Sequence, residues 1–180
     1  DLTKLKYLNI TGNDKVKDFS FLNKLVNLEE MHIRMVKVKD ISAFANYKNL
    51  RYLDADSCEI SDFSPLSELT KLTFLNLDKN IFAENSAEAF AKLVNLEFLN
   101  INNKAPNYGL GFFPEKINDI TPLAGLTKLK EFHATGHAIE DISILKNMSN
   151  LTTVFLNNNN IADFSPVDHV KNVNGKTDQV

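Results

Sequence analysis

The six residues Leu72-Thr-Phe-Leu-Asn-Leu77 set a frame, leucine-x-x-leucine-x-leucine, that decides the fold because it recurs along the whole chain. Counted between the first leucines, the steps are 23, 22, 22, 24, 33 and 22 residues. Self-similarity at a nearly fixed period of this length indicates a repeat architecture. The other segments that share the frame are Leu5-Lys-Tyr-Leu-Asn-Ile10, Leu28-Glu-Glu-Met-His-Ile33, Leu50-Arg-Tyr-Leu-Asp-Ala55, Leu96-Glu-Phe-Leu-Asn-Ile101, Leu129-Lys-Glu-Phe-His-Ala134 and Leu151-Thr-Thr-Val-Phe-Leu156.

Each repeat unit, numbered from its first leucine as position 1, continues with apolar residues at positions 11, 14, 17 and 20, such as Ile60, Phe63, Leu66 and Leu69. Alternation over positions 3 to 7 predicts a short strand, and the later spacing of three predicts 3₁₀ turns. One unit cannot bury its own leucines, so stacked units must share a core. We therefore predict an α/β solenoid with a curved parallel sheet on the concave side, and with 3₁₀ turns and one short helix on the convex side.

Two segments carry a more specific resemblance: Ile60-Ser-Asp-Phe-Ser-Pro-Leu-Ser-Glu-Leu-Thr-Lys-Leu72 and Ile117-Asn-Asp-Ile-Thr-Pro-Leu-Ala-Gly-Leu-Thr-Lys-Leu129. They resemble the leucine-rich-repeat family and, within it, the 22-residue internalin-like bacterial type. The resemblance covers nearly the whole chain. It implies a bacterial protein that is secreted or displayed on the cell surface.

The buried asparagine that this family carries at position 9 is present as Asn13, Asn80 and Asn159. Four other units replace it, with Val36, Cys58, Lys104 and His137. The asparagine ladder should be broken there, so local backbone groups need other partners. We expect Cys58 and His137 to be buried core residues rather than a nucleophile and a metal ligand.

Aspartate recurs just before the return turn of most units. A short carboxylate at such a place accepts hydrogen bonds from nearby backbone N–H groups, which predicts a structural role rather than a metal site. The fourth unit differs, because residues 85–93 carry capping residues and alanines that predict an α-helix on the convex side. The recurring aspartates are Asp18, Asp40, Asp62, Asp119, Asp141 and Asp163.

The repeat boundaries predict one domain over residues 1–172, with seven units beginning near Leu5 and a partial preceding unit at 1–4. The match of Leu2-Thr-Lys-Leu5 to Leu69-Thr-Lys-Leu72 places the start of the chain inside an earlier unit, and we expect capping sequence upstream. Residues 173–180 are predicted to form a terminal cap edge or a linker.

Composition excludes several classes of function. A net charge of −3 leaves no basic face for nucleic acid, and no run of about 18 apolar residues is present for membrane insertion. The single cysteine excludes intrachain disulfides and multi-cysteine metal sites. The sequence shows no nucleophile paired with a base, no glycine-rich phosphate loop and no zinc pattern. We predict a protein without catalytic residues, cofactor or metal.

Positions 3, 5 and 7 should point outward on the concave face because the leucines at positions 4 and 6 point inward. Position 3 then places three aromatic residues on adjacent strands, which resembles a protein-binding hot spot with a polar rim. Alternatively, the rings pack on each other and only stabilise the sheet. The predicted ligand-binding residues of this face are Tyr52, Phe74, Phe98, Asp54, Asp56, Asp78, Arg34, His32, Asn76 and Asn100.

Two further features have competing interpretations. Asp56 and Asp78 should lie about 5 Å apart on neighbouring strands. They are predicted to pair with Arg34 and Lys79, or else to hold a cation or a basic residue of a partner. The fifth unit has 11 extra residues, 105–115, which either contact a ligand or fold back over the neighbouring coil. Their candidate ligand-binding residues are Tyr108, Phe112 and Phe113.

Taken together, these features predict a surface-displayed or secreted recognition module that holds a host or neighbouring-cell protein in its concave face. Two alternatives remain open: a structural spacer or self-assembly segment, and a carbohydrate-binding module, because aromatic, Asn and Asp side chains suit sugars.

Overall fold

The computed structural model describes residues 2–103 and 115–176. Within them, eight strands of three residues each form one parallel sheet in chain order. The strands pair in register, so that Leu53 lies opposite Leu75 and Leu75 opposite Leu99. The predicted solenoid is confirmed. Its strands are β1 (Tyr7–Asn9), β2 (Glu30–His32), β3 (Tyr52–Asp54), β4 (Phe74–Asn76), β5 (Phe98–Asn100), β6 (Glu131–His133), β7 (Thr153–Phe155) and β8 (Asn172–Asn174).

A 3₁₀ helix precedes each strand in the described residues. The five-residue helices end on an i→i+3 hydrogen bond, such as Leu69 N to Leu66 O at 2.9 Å. This geometry matches the spacing of three between apolar residues, because a 3₁₀ helix repeats every three residues. The helices are Leu2–Lys4, Ser20–Lys24, Ser42–Asn46, Ser64–Glu68, Ser86–Phe90, Thr121–Gly125, Ser143–Asn147 and Ser165–Val167.

The α-helix predicted for residues 85–93 is not formed. Ser86–Phe90 is a 3₁₀ helix like the others, and Glu88 N donates to Asn85 O. The buried side chains of Ala87, Phe90 and Leu93 recur every third residue, so one 3₁₀ turn serves them better than an α-helical turn. The alanines and capping residues indicated a helix but did not specify its type.

The core runs the length of the solenoid as one cluster. In the third unit, Leu53 and Ala55 point inward from the strand, and Ile60 and Leu66 return from the convex side; all four are fully buried. The predicted inward direction of positions 4 and 6 is therefore confirmed for the second to the seventh unit, where both residues are buried. At the predicted outward positions, Asp54, Asp56 and Asn100 are nevertheless buried, because neighbouring side chains cover them.

The recurring aspartates act as predicted. Asp62 Oδ1 accepts a hydrogen bond from the backbone N–H of Ser64 at 2.9 Å, just where the 3₁₀ helix begins. Hydrogen bonding to the Ser64 side chain, and then to this backbone N–H, holds the pKa of Asp62 below its ordinary value. Asp18, Asp40, Asp119, Asp141 and Asp163 each accept from the backbone N–H two residues later in the same way.

Position 9 holds the loop between strand and return turn. Asn80 is buried; its amide donates to Ala55 O at 2.8 Å and Leu77 O at 2.9 Å, while its Oδ1 accepts from Cys58 N and Ile60 N. Cys58, fully buried as predicted, donates its S–H to the Ile33 carbonyl. Cys58 therefore makes one of the hydrogen bonds that asparagine makes at position 9, so the asparagine ladder is not left without a donor in this unit.

His137, a buried residue as predicted, takes over the role of the asparagine. Its Nδ1 accepts from Ile117 N at 3.2 Å and its Nε2 lies 2.7 Å from Ile101 O, which fixes the neutral ring with the proton on Nε2. Asn80 bridges the equivalent two places of the preceding units, namely the carbonyl of Ala55 and the N–H of Ile60.

His137 makes the stability of the fold depend on pH. Burial, assisted by the charge of Lys116, lowers the pKa of His137 from 6.5 to about 4. Because the unfolded chain then binds the proton more readily, the contribution to stability is complete above 6.5 and is lost as pH falls toward about 4. We expect the free energy of unfolding to drop by roughly 2 kcal/mol between about pH 7 and about pH 5.

Denaturant unfolding of the wild type and of His137→Asn at several pH values measures this effect. Asparagine at this rung has an amide donor and a carbonyl acceptor but no titrating group, so the variant should lose most of the pH dependence. His133, whose pKa is also lowered by burial, accounts for a smaller slope that remains. An equal pH dependence in both proteins would contradict the assignment.

Position 8 of the loop has a left-handed backbone in six of the units. Two units use glycine there, Gly12 at φ 74° and Gly136 at φ 83°. Four units place another residue in the same conformation, at φ between 56° and 59°: Met35, Ser57, Lys79 and Asn158. The positive φ is therefore a property of the repeat, which each of these residue types has to adopt.

Beyond the seventh unit the sheet continues through β8, whose residues Asn172, Val173 and Asn174 pair with β7. Val170 and Val173 are buried and partly buried, respectively, against the end of the core. In the described residues the sheet ends at Asn174, two residues beyond residue 172, where the repeat domain was predicted to end.

Candidate functional site

The concave face carries a continuous row of stacked rings. Tyr52, Phe74 and Phe98 lie opposite one another on β3, β4 and β5 and are only partly buried. The ring centroids of Tyr52 and Phe74 are 4.1 Å apart with an interplanar angle of 4°, and those of Phe74 and Phe98 are 4.3 Å apart at 5°. The predicted aromatic stripe therefore exists, and its rings do pack on each other.

The row is longer than the sequence indicated. His32 lies 4.7 Å from the ring of Tyr52, and His133 lies 5.2 Å from the ring of Phe98. Tyr7 and Phe155 extend the two ends, so that each of the seven strands from β1 to β7 contributes one ring. We call this row the aromatic ladder; its members are Tyr7, His32, Tyr52, Phe74, Phe98, His133 and Phe155.

The sequence did not reveal the full aromatic ladder because its rings do not all stand at the same position of the repeat unit. Its three central rings stand at position 3, but His32, His133 and Phe155 stand at position 5 and lean toward them. The available signal was the motif Glu-x-His, which occurs in the second unit as Glu30-Met-His32 and in the sixth as Glu131-Phe-His133.

The orientation of the central rings decides what they can contact. Rings that are nearly parallel and about 4 Å apart cover one another's faces. The edges of Tyr52, Phe74 and Phe98 are consequently the parts left for solvent or a ligand. An aromatic ring is electron-rich on its face and carries positive partial charge at its edge.

A glutamate and a histidine lie together at each end of the three central rings. Glu30 Oε1 is 2.7 Å from His32 Nε2, and Glu131 Oε2 is 3.5 Å from His133 Nε2. The glutamate side chains remain 44% and 46% exposed. Burial lowers the pKa of His133, and the charge of Glu131 opposes this effect.

The acidic residues beside the ladder are paired. Arg34 Nη2 donates to Asp56 Oδ2 at 3.0 Å, and Lys79 Nζ lies 3.2 Å from Asp78 Oδ2 and 3.6 Å from Asp56 Oδ1. Arg34 also approaches Asp54, whose pKa is nevertheless raised by burial. The structure thus shows the predicted charge pairing, and residues 2–103 and 115–176 contain no group of three His, Cys, Asp or Glu side chains placed to hold a metal ion.

The two predicted asparagines act mainly on their own neighbourhood. Asn76 Nδ2 donates to Asp54 Oδ1 at 2.9 Å, and Asn76 Oδ1 accepts from Asp78 N. Asn100, which is buried, accepts from Asn102 N. Both asparagines hold the turn that follows their strand, and Asn76 also contacts the acidic residues Asp54 and Asp78.

The remaining predicted site residues, Tyr108, Phe112 and Phe113, lie outside the described residues. Over the part that is described, no helix is long and apolar enough to cross a membrane.

No family model matches the chain, and no curated protein matches it. Solved structures do. Internalin C2 of Listeria monocytogenes is 28% identical with a TM-score of 0.76, over 96% of this chain and 81% of that one. Internalin F of the same organism is 31% identical with a TM-score of 0.73, over 96% of this chain and 54% of that one.

A third match, the leucine-rich-repeat ectodomain of a membrane receptor kinase from Arabidopsis thaliana, supports the fold alone. It is 21% identical with a TM-score of 0.74, over 96% of this chain and 21% of that one. The chain thus spans about half of internalin F and a fifth of the plant protein. Because two internalins match nearly its whole length and its repeat sheet has the predicted register, the chain is an internalin-like leucine-rich-repeat protein.

Proposed function

We propose that the protein is a bacterial cell-surface or secreted module that binds a host or neighbouring-cell protein through its concave face and performs no catalysis. The observation that carries this proposal is the aromatic ladder, whose central rings stay partly exposed on the inner sheet. Aromatic residues surrounded by polar groups are the common anchors of protein interfaces. The plant receptor ectodomain was solved in complex with Casparian strip integrity factor 2, so the fold recognises a ligand in that protein.

The ring geometry favours a protein over a sugar. The C–H groups of a sugar carry positive partial charge and therefore favour the electron-rich face of an aromatic ring. The faces of Phe74 are covered by Tyr52 on one side and by Phe98 on the other. A protein side chain has no such requirement and can pack across the ring edges. A glycan array tests the sugar alternative, and binding lost in Phe74→Ala would support it against our proposal.

The change Phe74→Ala should weaken binding of a true partner by about 2 kcal/mol or more, which is roughly 30-fold. It removes the central ring of the three and exposes the faces of its neighbours. Affinity capture from preparations of mammalian and bacterial surface proteins, followed by titration of the captured protein, measures the effect. Val94→Ala is a matched control, because Val94 is an exposed apolar residue outside the ladder.

Circular dichroism and thermal unfolding establish that both variants are folded at the assay temperature. A captured partner that binds wild type and Phe74→Ala equally would remove the concave face from the proposal. If Phe74→Ala captures the same proteins as the wild type, the alternative of a structural spacer is favoured.

The proposed location rests on the internalin likeness. Protease treatment of intact bacteria, with immunodetection of the protein before and after, tests it. Removal by the protease, or recovery from the culture medium, is expected; a protein found only inside unbroken cells would contradict the proposed location.

A further inference from the structure

At the ends of the central ring stack lie Glu30 and Glu131, two acidic side chains of the concave face that have no lysine or arginine partner among the described residues. Within residues 2–103 and 115–176, each of them lies beside a histidine instead, Glu30 at 2.7 Å from His32 and Glu131 at 3.5 Å from His133. Two other glutamates do have lysine partners: Glu29, next to Glu30, is paired with Lys6 at 2.7 Å, and Glu97, next to Phe98, is paired with Lys130 at 2.7 Å. Asp56 and Asp78 are held by Arg34 and Lys79.

These two glutamates are also open to a ligand. Each uses one carboxylate oxygen toward its histidine, and each side chain is nearly half exposed. Both stand at position 3, in the same row as Tyr52, Phe74 and Phe98, one at each end. Four strand spacings separate them, which is about 19 Å.

The ring edges between the two glutamates favour an aromatic group of a partner rather than a positive charge. Because these edges carry positive partial charge, a cation placed on them is repelled, whereas the face of another aromatic ring is attracted. A ring lying flat across Tyr52, Phe74 and Phe98 makes the edge-to-face contact that aromatic pairs prefer. Positive charge of a partner is therefore directed away from the centre and toward Glu30 and Glu131.

We propose that the concave site binds a protein segment whose aromatic residue lies across the three rings and whose flanking Lys or Arg residues reach Glu30 and Glu131. This rests on the proposed function and names the chemistry of the partner. A distance of about 19 Å corresponds to roughly six residues of extended chain or thirteen of helix. Charge complementarity of this kind adds specificity and speeds association.

The probe is a phage-displayed library of random 16-residue peptides, selected on the wild-type chain and counter-selected on Phe74→Ala. Selected peptides should contain an aromatic residue between two basic ones. The double variant Glu30→Gln with Glu131→Gln should weaken them by about tenfold or more, and added salt should weaken wild-type binding as well. The matched control is Glu29→Gln with Glu97→Gln, which changes two glutamates at position 2 of their units that already have lysine partners. It should change affinity by less than about twofold.

A charge reversal makes the test reciprocal. Selection on the chain with Glu30→Lys and Glu131→Lys should yield peptides with acidic flanks around the aromatic residue. Peptides that depend on Phe74 but show no basic flanks, or that ignore the two glutamine changes, would overturn this inference and leave concave-face binding intact. Peptides that bind Phe74→Ala as well as wild type, or a selection that enriches none on wild type, would overturn the proposed function with it.

Discussion

Replacing Asn80 with alanine is expected to lower the free energy of unfolding by about 4 kcal/mol, because the change strands several buried backbone groups at once. Asn80 is only 3% exposed. Its side chain accepts hydrogen bonds from the N–H groups of Cys58 and Ile60. It also donates to the carbonyls of Ala55 and Leu77. Each buried group left without a partner costs about 1–3 kcal/mol. Urea unfolding followed by circular dichroism measures the loss.

The chain supplies its own controls at the same repeat position. Asn159 makes similar bonds but is partly buried, and Asn13 is exposed and donates to Ile10 O. Water can replace the lost bonds at Asn13, so Asn13→Ala should cost about 1 kcal/mol or less. The expected order of destabilisation is Asn80→Ala, then Asn159→Ala, then Asn13→Ala. An equal loss at all three positions would contradict the role given to burial.

The change Gly136→Ala should destabilise the fold by a comparable amount, about 3–4 kcal/mol. Gly136 has φ 83°, and a Cβ there would lie 2.6 Å from the backbone oxygen of Asn103. Backbone cannot move aside as a flexible side chain does, so the loop between two units has to shift. Thermal and denaturant unfolding of the variant provide the measurement.

Two other glycines separate the effect of φ from that of the close contact. Gly12 has φ 74° but open space around its Cβ position, so Gly12→Ala should cost only about 1 kcal/mol. Gly125 has no positive φ, and its Cβ would meet Val94 at an ordinary 3.8 Å, so Gly125→Ala should change stability by less than about 0.5 kcal/mol. If Gly136→Ala proved no more harmful than Gly12→Ala, the contact with Asn103 would not matter.

The fold was predictable because one constraint repeats. A large apolar residue at position 4 of each unit has to meet its equivalent in the next, so a single frame sets the register of Leu53, Leu75 and Leu99. The aspartate turns were predictable for a similar reason, since the Asx bond is local and needs no knowledge of tertiary contacts.

Features that depend on contacts between units were harder to predict. Residues 86–90 resemble the start of an α-helix locally, but packing against the neighbouring units imposes a 3₁₀ turn. The lean of His32 and His133 toward the central rings depends on side-chain packing across strands. The position of a residue within its own unit does not show which rings of neighbouring strands it contacts. The sequence therefore predicted a row of three rings, whereas the structure has seven.

His137 can replace asparagine at position 9 because its side chain is long enough to contact two backbone groups. The imidazole spans from Ile101 to Ile117, two residues that lie on either side of the extra residues of the fifth unit. The sequence predicted that this rung needs another partner. That the histidine itself supplies both a donor and an acceptor follows only from the two distances.

The mutual stacking of Tyr52, Phe74 and Phe98 has a consequence for the thermodynamics of association. Each of these side chains is held between its neighbours before any partner arrives. Freezing a mobile side chain at an interface ordinarily costs about 0.5–1.5 kcal/mol of entropy, and a ring that is already immobile escapes most of that cost. Preorganisation of the inner sheet is therefore built into the repeat, and each additional stacked unit lengthens a surface that needs no rearrangement to bind.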